Sequence, residues 1–301
     1  MTPRSYPAKI LLFGEYAIIR GSRALAIPYW DFNGRWAFSK NGWMCSELVN
    51  LSDYLEKLEK NGELLAPLDL LRFKMDLERG MYFESTIPVG YGLGSSGALV
   101  AAFFKDYGTG GELPLPDLKK ALAQIEGFFH GSSSGIDPLV CLLGKPLLLK
   151  EGGKLETVEV AEGESTDSLF LLDTGISRET GPLVRIFISK CEDLSFDSRG
   201  EEVLGKLTNA AIKAYLSADR NTLFSHFGAI SRFQWEYFQE MIPASFKGLW
   251  EESLGSENFH IKLCGAGGGG FLLVMALDPE AARKALAPHS LLVLAGSRKN
   301  L

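Results

Sequence analysis

Residues 88–98 read Pro-Val-Gly-Tyr-Gly-Leu-Gly-Ser-Ser-Gly-Ala, and this stretch decides the fold. It follows an apolar run, Met81–Thr86, and leads into a small, apolar segment, Ser95–Tyr107. A strand, a glycine turn and a helix are expected in that order. Gly92, Leu93, Gly94, Ser95, Ser96 and Gly97 form a literal G-x-G-x-x-G. Glycine lets the main chain approach a ligand closely. The free amides and the dipole at a helix start favour an anion, phosphate above all. The two serines add hydroxyls for phosphate or a metal. The same residues also suit a plain strand-to-helix turn with serine caps, so the surroundings must decide.

Two familiar phosphate sites do not fit. A dinucleotide fold needs a second parallel strand ending in an acid about 20 residues on. Here Gly108-Thr109-Gly110-Gly111 and a proline-rich turn come instead, and no strand precedes Glu112. A Walker A loop needs a lysine after its glycines, and none follows Gly97. A second loop, Gly265-Ala266-Gly267-Gly268-Gly269-Gly270, lies between two strand-like runs, His260–Cys264 and Phe271–Ala276. So many glycines weaken a fold through backbone entropy, which points to a main chain packed against a ligand or another loop.

Working outward, Ile10–Phe13, Ala17–Ile19 and Trp30–Ser39 read as strands, and Leu51–Lys60 as an amphipathic helix. Asp117 is placed to cap a helix whose apolar face carries Leu118, Leu122, Ile125 and Phe129, with Glu126 beside that stripe. Asp137 precedes Pro138 and reads locally as the cap of a short helix to Leu143. Strands are expected at Leu147–Lys150, Thr157–Val160, Leu169–Leu172 and Leu291–Leu294. Helices are expected over 201–218, 221–240 and Pro279–Ala287. Strands and helices mix without strict alternation, which predicts an α+β chain. The polar stretch 161–167 suggests two domains, 1–160 and 161–301.

The 301 residues include 31 basic and 37 acidic side chains, a net −6 that argues against general nucleic-acid binding. Four scattered cysteines form no C-x-x-C pair, hence no evident zinc site or disulfide framework. The longest apolar runs, Ala98–Phe104 and Phe271–Leu277, fall far short of the ~20 residues of a membrane span. Glu15 interrupts the first apolar stretch too early for a signal peptide. A soluble, cytoplasmic protein is expected. Leu172-Asp173-Thr174-Gly175 resembles an aspartic-protease signature, but that chemistry needs two carboxylates and the chain holds no second copy. Lys9, Glu126, Asp137, a serine-rich loop and two glycine loops suit phosphoryl transfer instead, where catalysis is mainly positioning and charge compensation.

Three blocks, in order, resemble the GHMP kinases: Pro7–Ala17, Pro88–Ala98 and Lys262–Phe271. Within that superfamily the mevalonate kinases are most similar. They share a Gly-Glu turn, here Gly14-Glu15-Tyr16, and a His-Gly…Ser-Gly-x-Asp segment, here His130–Asp137. They also share an Asp-Thr pair followed by a threonine, here Thr180. The resemblance implies an N-terminal domain like ribosomal protein S5 domain 2, an α+β C-terminal domain, and ATP with Mg²⁺ as cofactors. The acceptor would be a small alcohol, most simply mevalonate. Asp137 would take the hydroxyl proton with Lys9 beside it, and Ser96 and Glu126 would bind Mg²⁺. Gly92, Leu93, Gly94, Ser95, Ser96 and Gly97 would hold the phosphates, with Gly267 and Gly268 also facing the nucleotide. Glu15, Tyr16, His130 and Thr180 would lie near the acceptor. Tyr16 stands where histidine is usual, Ser133 where proline is common, and Gly97 where alanine is common. The alternatives are another kinase of the superfamily (phosphomevalonate, homoserine or sugar), a related decarboxylase, or a nucleotide-binding regulator without catalysis. No nucleic acid or membrane partner is expected, and a homodimer is the assembly considered.

Overall fold

Two long strands carry the chain through both of its compact units. Strand β1 (Ser5–Phe13) and strand β2 (Ala24–Phe38) each begin in one unit and end in the other. The computed structural model describes residues 4–41, 43–160, 168–178, 180–192 and 198–294. Unit 1 takes the chain up to Lys9, Pro28–Pro88 and Leu93–Lys145; unit 2 takes Ile10–Ile27, Val89–Gly92 and the chain from Pro146 onward. This division differs from a single cut after residue 160. A composition shift can mark only contiguous stretches, whereas a strand shared lengthwise gives each unit pieces from distant parts of the chain. The stretch 161–167, expected as the boundary, lies outside the described residues.

In unit 1 the distal half of β2 pairs antiparallel with β3 (Met81–Ser85), from Gly34↔Ser85 to Phe38↔Met81. Helix α3 spans Ser95–Tyr107, as its sequence predicts. Gly97 through Phe103 are all buried, so α3 is apolar on every side and forms the central helix of this unit. Around it lie α1 (Ser46–Lys60), α2 (Leu70–Glu78), α4 (Leu115–His130) and α5 (Ile136–Leu143). Phe73 and Phe103 meet edge to face at 4.7 Å between ring centres. Each such buried side chain contributes about 1.5–3 kcal/mol relative to exposure.

Three local expectations are corrected. Pro114, not Asp117, stands at the cap of α4, and Asp117 falls in its first turn. Gly135 caps α5 in the left-handed conformation, so Asp137 sits inside the first turn with its carboxylate available for other partners. Ala17–Arg20 is a 3-10 helix rather than a strand. Gly14 (φ 109°) and Tyr16 (φ 64°) turn the chain off the extended path between β1 and that helix.

Unit 2 is built on an antiparallel sheet in the order β7-β8-β6-β9, with β6 Leu169–Asp173, β7 Phe259–Leu263, β8 Phe271–Ala276 and β9 Leu291–Val293. β8 lies between β7 and β6 and is buried along its whole length, which explains its unbroken apolar run. Helices α6 (Thr180–Cys191), α7 (Ser198–Leu216), α8 (Arg220–Tyr237), α9 (Lys247–Leu254) and α10 (Pro279–Ala285) complete this unit. Its core joins Phe170, Leu172, Leu263, Leu272 and Val274 to Phe238, Phe246 and Trp250. The proximal end of β2 pairs with β4 (Leu147–Leu149), which pairs in turn with β5 (Leu155–Thr157). The α+β expectation is met. Among the described residues no helix is long and apolar enough to cross a membrane.

Candidate active site

The amides at the start of α3 precede its first intrahelical bond, which Ala98 N–H makes to Gly94 O at 2.9 Å. They are therefore donors for an outside acceptor. Gly94, in the left-handed region, aims the turn, and the turn is fastened to β1 by Lys9 N–H donating to Leu93 O at 2.8 Å. Beside it, Lys9 Nζ lies 2.8 Å from Asp137 Oδ2. The Lys9 side chain is 10% exposed and that of Asp137 32%, so the carboxylate alone reaches solvent appreciably. A methyl group placed on Gly94 would lie 3.4 Å from Asp137 Oδ2 and 3.5 Å from Lys9 Cβ. The ion pair thus packs directly against the glycine turn.

Glu126 reaches the same place from α4. It is buried, and its carboxylate accepts hydrogen bonds from Ser96 Oγ at 3.1 Å and from Ser133 Oγ. Ser96 Oγ also lies 3.0 Å from His130 Nε2. Burial first and the Asp137 charge second lift the Glu126 carboxyl from 4.5 to about 7, against the two serines and Lys9. The folded chain therefore holds this proton more tightly than the unfolded chain. The stability this confers is present at low pH and is lost as pH rises from about 4.5 through about 7. Unit 1 thus brings together Lys9, Leu93, Gly94, Ser96, Gly97, Glu126, His130 and Asp137.

Two departures from the expected motif find physical reasons here. Ser133 both donates to Glu126 and accepts the Gly135 amide at 2.9 Å, so its hydroxyl orders the acid and the α5 cap together. Gly97 is where α3 meets α5. A Cβ there would lie 2.9 Å from the Asp137 carbonyl carbon and 3.0 Å from Pro138 N. Gly97→Ala is therefore expected to push Asp137 away from Lys9 and lower turnover about tenfold or more, outweighing the ~1 kcal/mol gain in helix propensity. Steady-state kinetics alongside thermal unfolding separates the two effects.

In unit 2, Glu15 is buried and paired with Lys262, whose side chain is 0% exposed. Lys262 Nζ donates to Leu263 O at 2.9 Å and lies 5.3 Å from the centre of the Phe13 ring and 5.7 Å from that of Phe227. Burial pushes the Glu15 carboxyl up, and Lys262 pulls against it. Tyr16 donates its hydroxyl to Ala266 O. The remaining glycine loop is held by Gly268 N–H to Met241 O and Gly270 N–H to Ile176 O, each 2.6 Å. Gly270 admits no side chain, since a Cβ would lie 2.7 Å from Tyr91 O. Asp173-Thr174-Gly175 serves this loop too: Thr174 Oγ1 donates to Gly270 O at 2.6 Å, and Asp173 Oδ1 accepts Gly175 N–H at 2.8 Å. Gly92 belongs to this unit and packs against the Arg178 guanidinium, which donates to Cys264 O at 3.4 Å. The side chain of Thr180 lies outside the described residues. Lys262 was not singled out as a functional residue in the sequence. Its signal was a charge inside the apolar strand Phe259–Leu263, opposite a lone acid in the Gly-Glu turn.

Residues 54–145 match the family model for the GHMP kinases N terminal domain. Mevalonate kinase of Thermococcus gammatolerans is 28% identical over 307 residues, covering 92% of this chain and 90% of that one. Mevalonate kinase of Thermococcus sibiricus is 26% identical over 305 residues, with the same coverage. The chain resembles the GHMP kinases, and residues 54–145 carry the likeness to their N-terminal domain. The chain also shares its fold with L. major mevalonate kinase crystallised with R-mevalonate, at TM-score 0.64 and 17% identity over 95% of this chain and 90% of that one. Phosphomevalonate kinase of Streptococcus pneumoniae, in complex with phosphomevalonate and AMPPNP, aligns at TM-score 0.65 and 14% identity over 97% and 100% of the two chains. The relatives named here are mevalonate kinases, which supports a small-molecule kinase.

Proposed function

We propose that the chain transfers the γ-phosphoryl group of ATP to the primary hydroxyl of mevalonate. The observation that carries this reading is the Lys9–Asp137 ion pair, 2.8 Å long, set against the N-terminal turn of α3. An alcohol is a poor nucleophile at neutral pH. Its oxygen bonds to the γ-phosphorus as the bond to the β–γ bridging oxygen breaks; its proton passes to Asp137, and ADP leaves. Lys9 holds that carboxylate in place and offsets charge developing on oxygen. The amides of Leu93, Gly94, Ser95 and Ser96 are assigned to the ATP phosphates; Gly92, Gly97, Gly267 and Gly268 are assigned to the nucleotide on the resemblance to the GHMP kinases.

A hard cation fits the Ser96 hydroxyl and the Glu126 carboxylate, which are oxygen donors already in contact. Magnesium takes one or two protein oxygens and fills the rest with water and phosphate, so this donor set suits it. When bound, it would neutralise phosphate charge. Glu126, whose carboxyl is lifted to about 7, serves as such a ligand in its ionised form. The acceptor identity is supported by the relatives named mevalonate kinase. Incubation with ATP, Mg²⁺ and R-mevalonate, phosphomevalonate, homoserine or galactose, followed by mass spectrometry, tests it. Phosphorylated mevalonate as the dominant product is expected. Transfer to another member of the panel, or to none, would overturn the assignment.

A further inference from the structure

The geometry points to Tyr16 as a positioning residue that clamps the Gly265–Gly270 loop, not as a contact to the acceptor alcohol. This rests on the assignment of Gly267 and Gly268 to the nucleotide. Tyr16 is 4% exposed, and its left-handed backbone (φ 64°) is a conformation that non-glycine residues rarely adopt. That conformation directs the side chain into unit 2. There the ring stacks on Phe187, with centres 4.8 Å apart and planes at 30°, and leans on Phe238 at 5.1 Å. Held by these two rings, the Tyr16 ring delivers its hydroxyl to Ala266 O. Burial also pushes the phenol well above its ordinary range, so it remains a donor across the physiological pH range.

The loop shows why that bond matters. Its second half is tied by its own amides, from Gly268 to Met241 O and from Gly270 to Ile176 O. Its first half receives a side chain instead, Tyr16 at Ala266 O, while Arg178 holds Cys264 O just before the loop. The preceding residue repeats the pattern, since Glu15 pairs with Lys262 on the strand entering the loop. Consecutive residues of one turn thus hold the strand and the loop that follows it. A histidine at position 16 is shorter and would not span the same distance, so the tyrosine changes what this turn does.

Tyr16→Phe keeps the ring packing and deletes the hydroxyl. It is expected to raise KM for ATP about fivefold, with kcat and KM for the acceptor within about twofold of wild type. Hydrogen exchange of amides 264–268 should quicken about tenfold, with the rest of unit 2 unchanged. Unchanged exchange in that segment overturns the clamp. A rise in acceptor KM without a rise in ATP KM also overturns it and returns Tyr16 to the acceptor pocket. If the wild-type chain transfers no phosphate at all, the proposed function fails, and exchange at 264–268 still decides the clamp by itself.

Discussion

Asp137→Asn lowers turnover about 10²–10⁴-fold, while ATP affinity stays within about twofold of wild type. The amide is nearly isosteric and cannot take the hydroxyl proton. The turn built from Leu93, Gly94 and Ser96 does not depend on the Asp137 charge for its shape, because Lys9 fastens it through the main chain. The same substitution has a second, independent readout. The Asp137 charge is one of the causes that lift the Glu126 carboxyl to about 7. Removing it moves the Glu126 titration downward, toward the ordinary carboxylate range, which carbon NMR of the labelled carboxyl follows directly. A turnover loss without that shift would mean that Asp137 lies farther from Glu126 than described.

Lys262→Met destabilises the fold by about 3–5 kcal/mol. The Lys262 ammonium is fully buried between β7 and the Gly-Glu turn, and its loss leaves the Glu15 carboxylate without a counter-charge in an apolar surround. For a chain of this length the drop in Tm is roughly 10 °C. The double variant Glu15→Leu with Lys262→Met recovers most of the loss, because two well-packed apolar side chains replace a costly buried pair. Thermal unfolding of the two single variants and the double forms a cycle. A Lys262→Met variant as stable as wild type would show that the pair is not buried as described.

Much of the frame is legible in the residues, for reasons that also explain what is not. Helix α3 follows from a glycine turn and an apolar run, and β7 and β8 from an alternating run and an apolar run bracketing five glycines. Lys9, Glu126 and Asp137 follow from the resemblance to the GHMP kinases, and unit 1 brings them together. The rest depends on contacts between residues distant in the chain. Helix α2 has a clear signal, with Asp69 accepting Arg72 N–H at its cap and Leu70, Phe73 and Leu77 on the buried face, but it is short. Ala17–Ile19 looks like a strand because it is apolar; only the backbone at Gly14 and Tyr16 shows that it turns. The roles of Ser133 and Lys262 depend on Glu126 and Glu15, their partners seven and 247 residues away, and local patterning sees neither pairing.

The claim on which the account turns is that Lys9 and Asp137 act as one transfer centre. Its most direct test is the rate of phosphoryl transfer from ATP to mevalonate, at saturating substrates and Mg²⁺, for Lys9→Met, Asp137→Asn and the double variant. A loss of about 10²-fold or more is expected in each single variant, with the double variant within severalfold of Asp137→Asn, because groups that act as a unit are lost together. Single variants near the wild-type rate, or a double variant whose loss is the full product of the two, would contradict it.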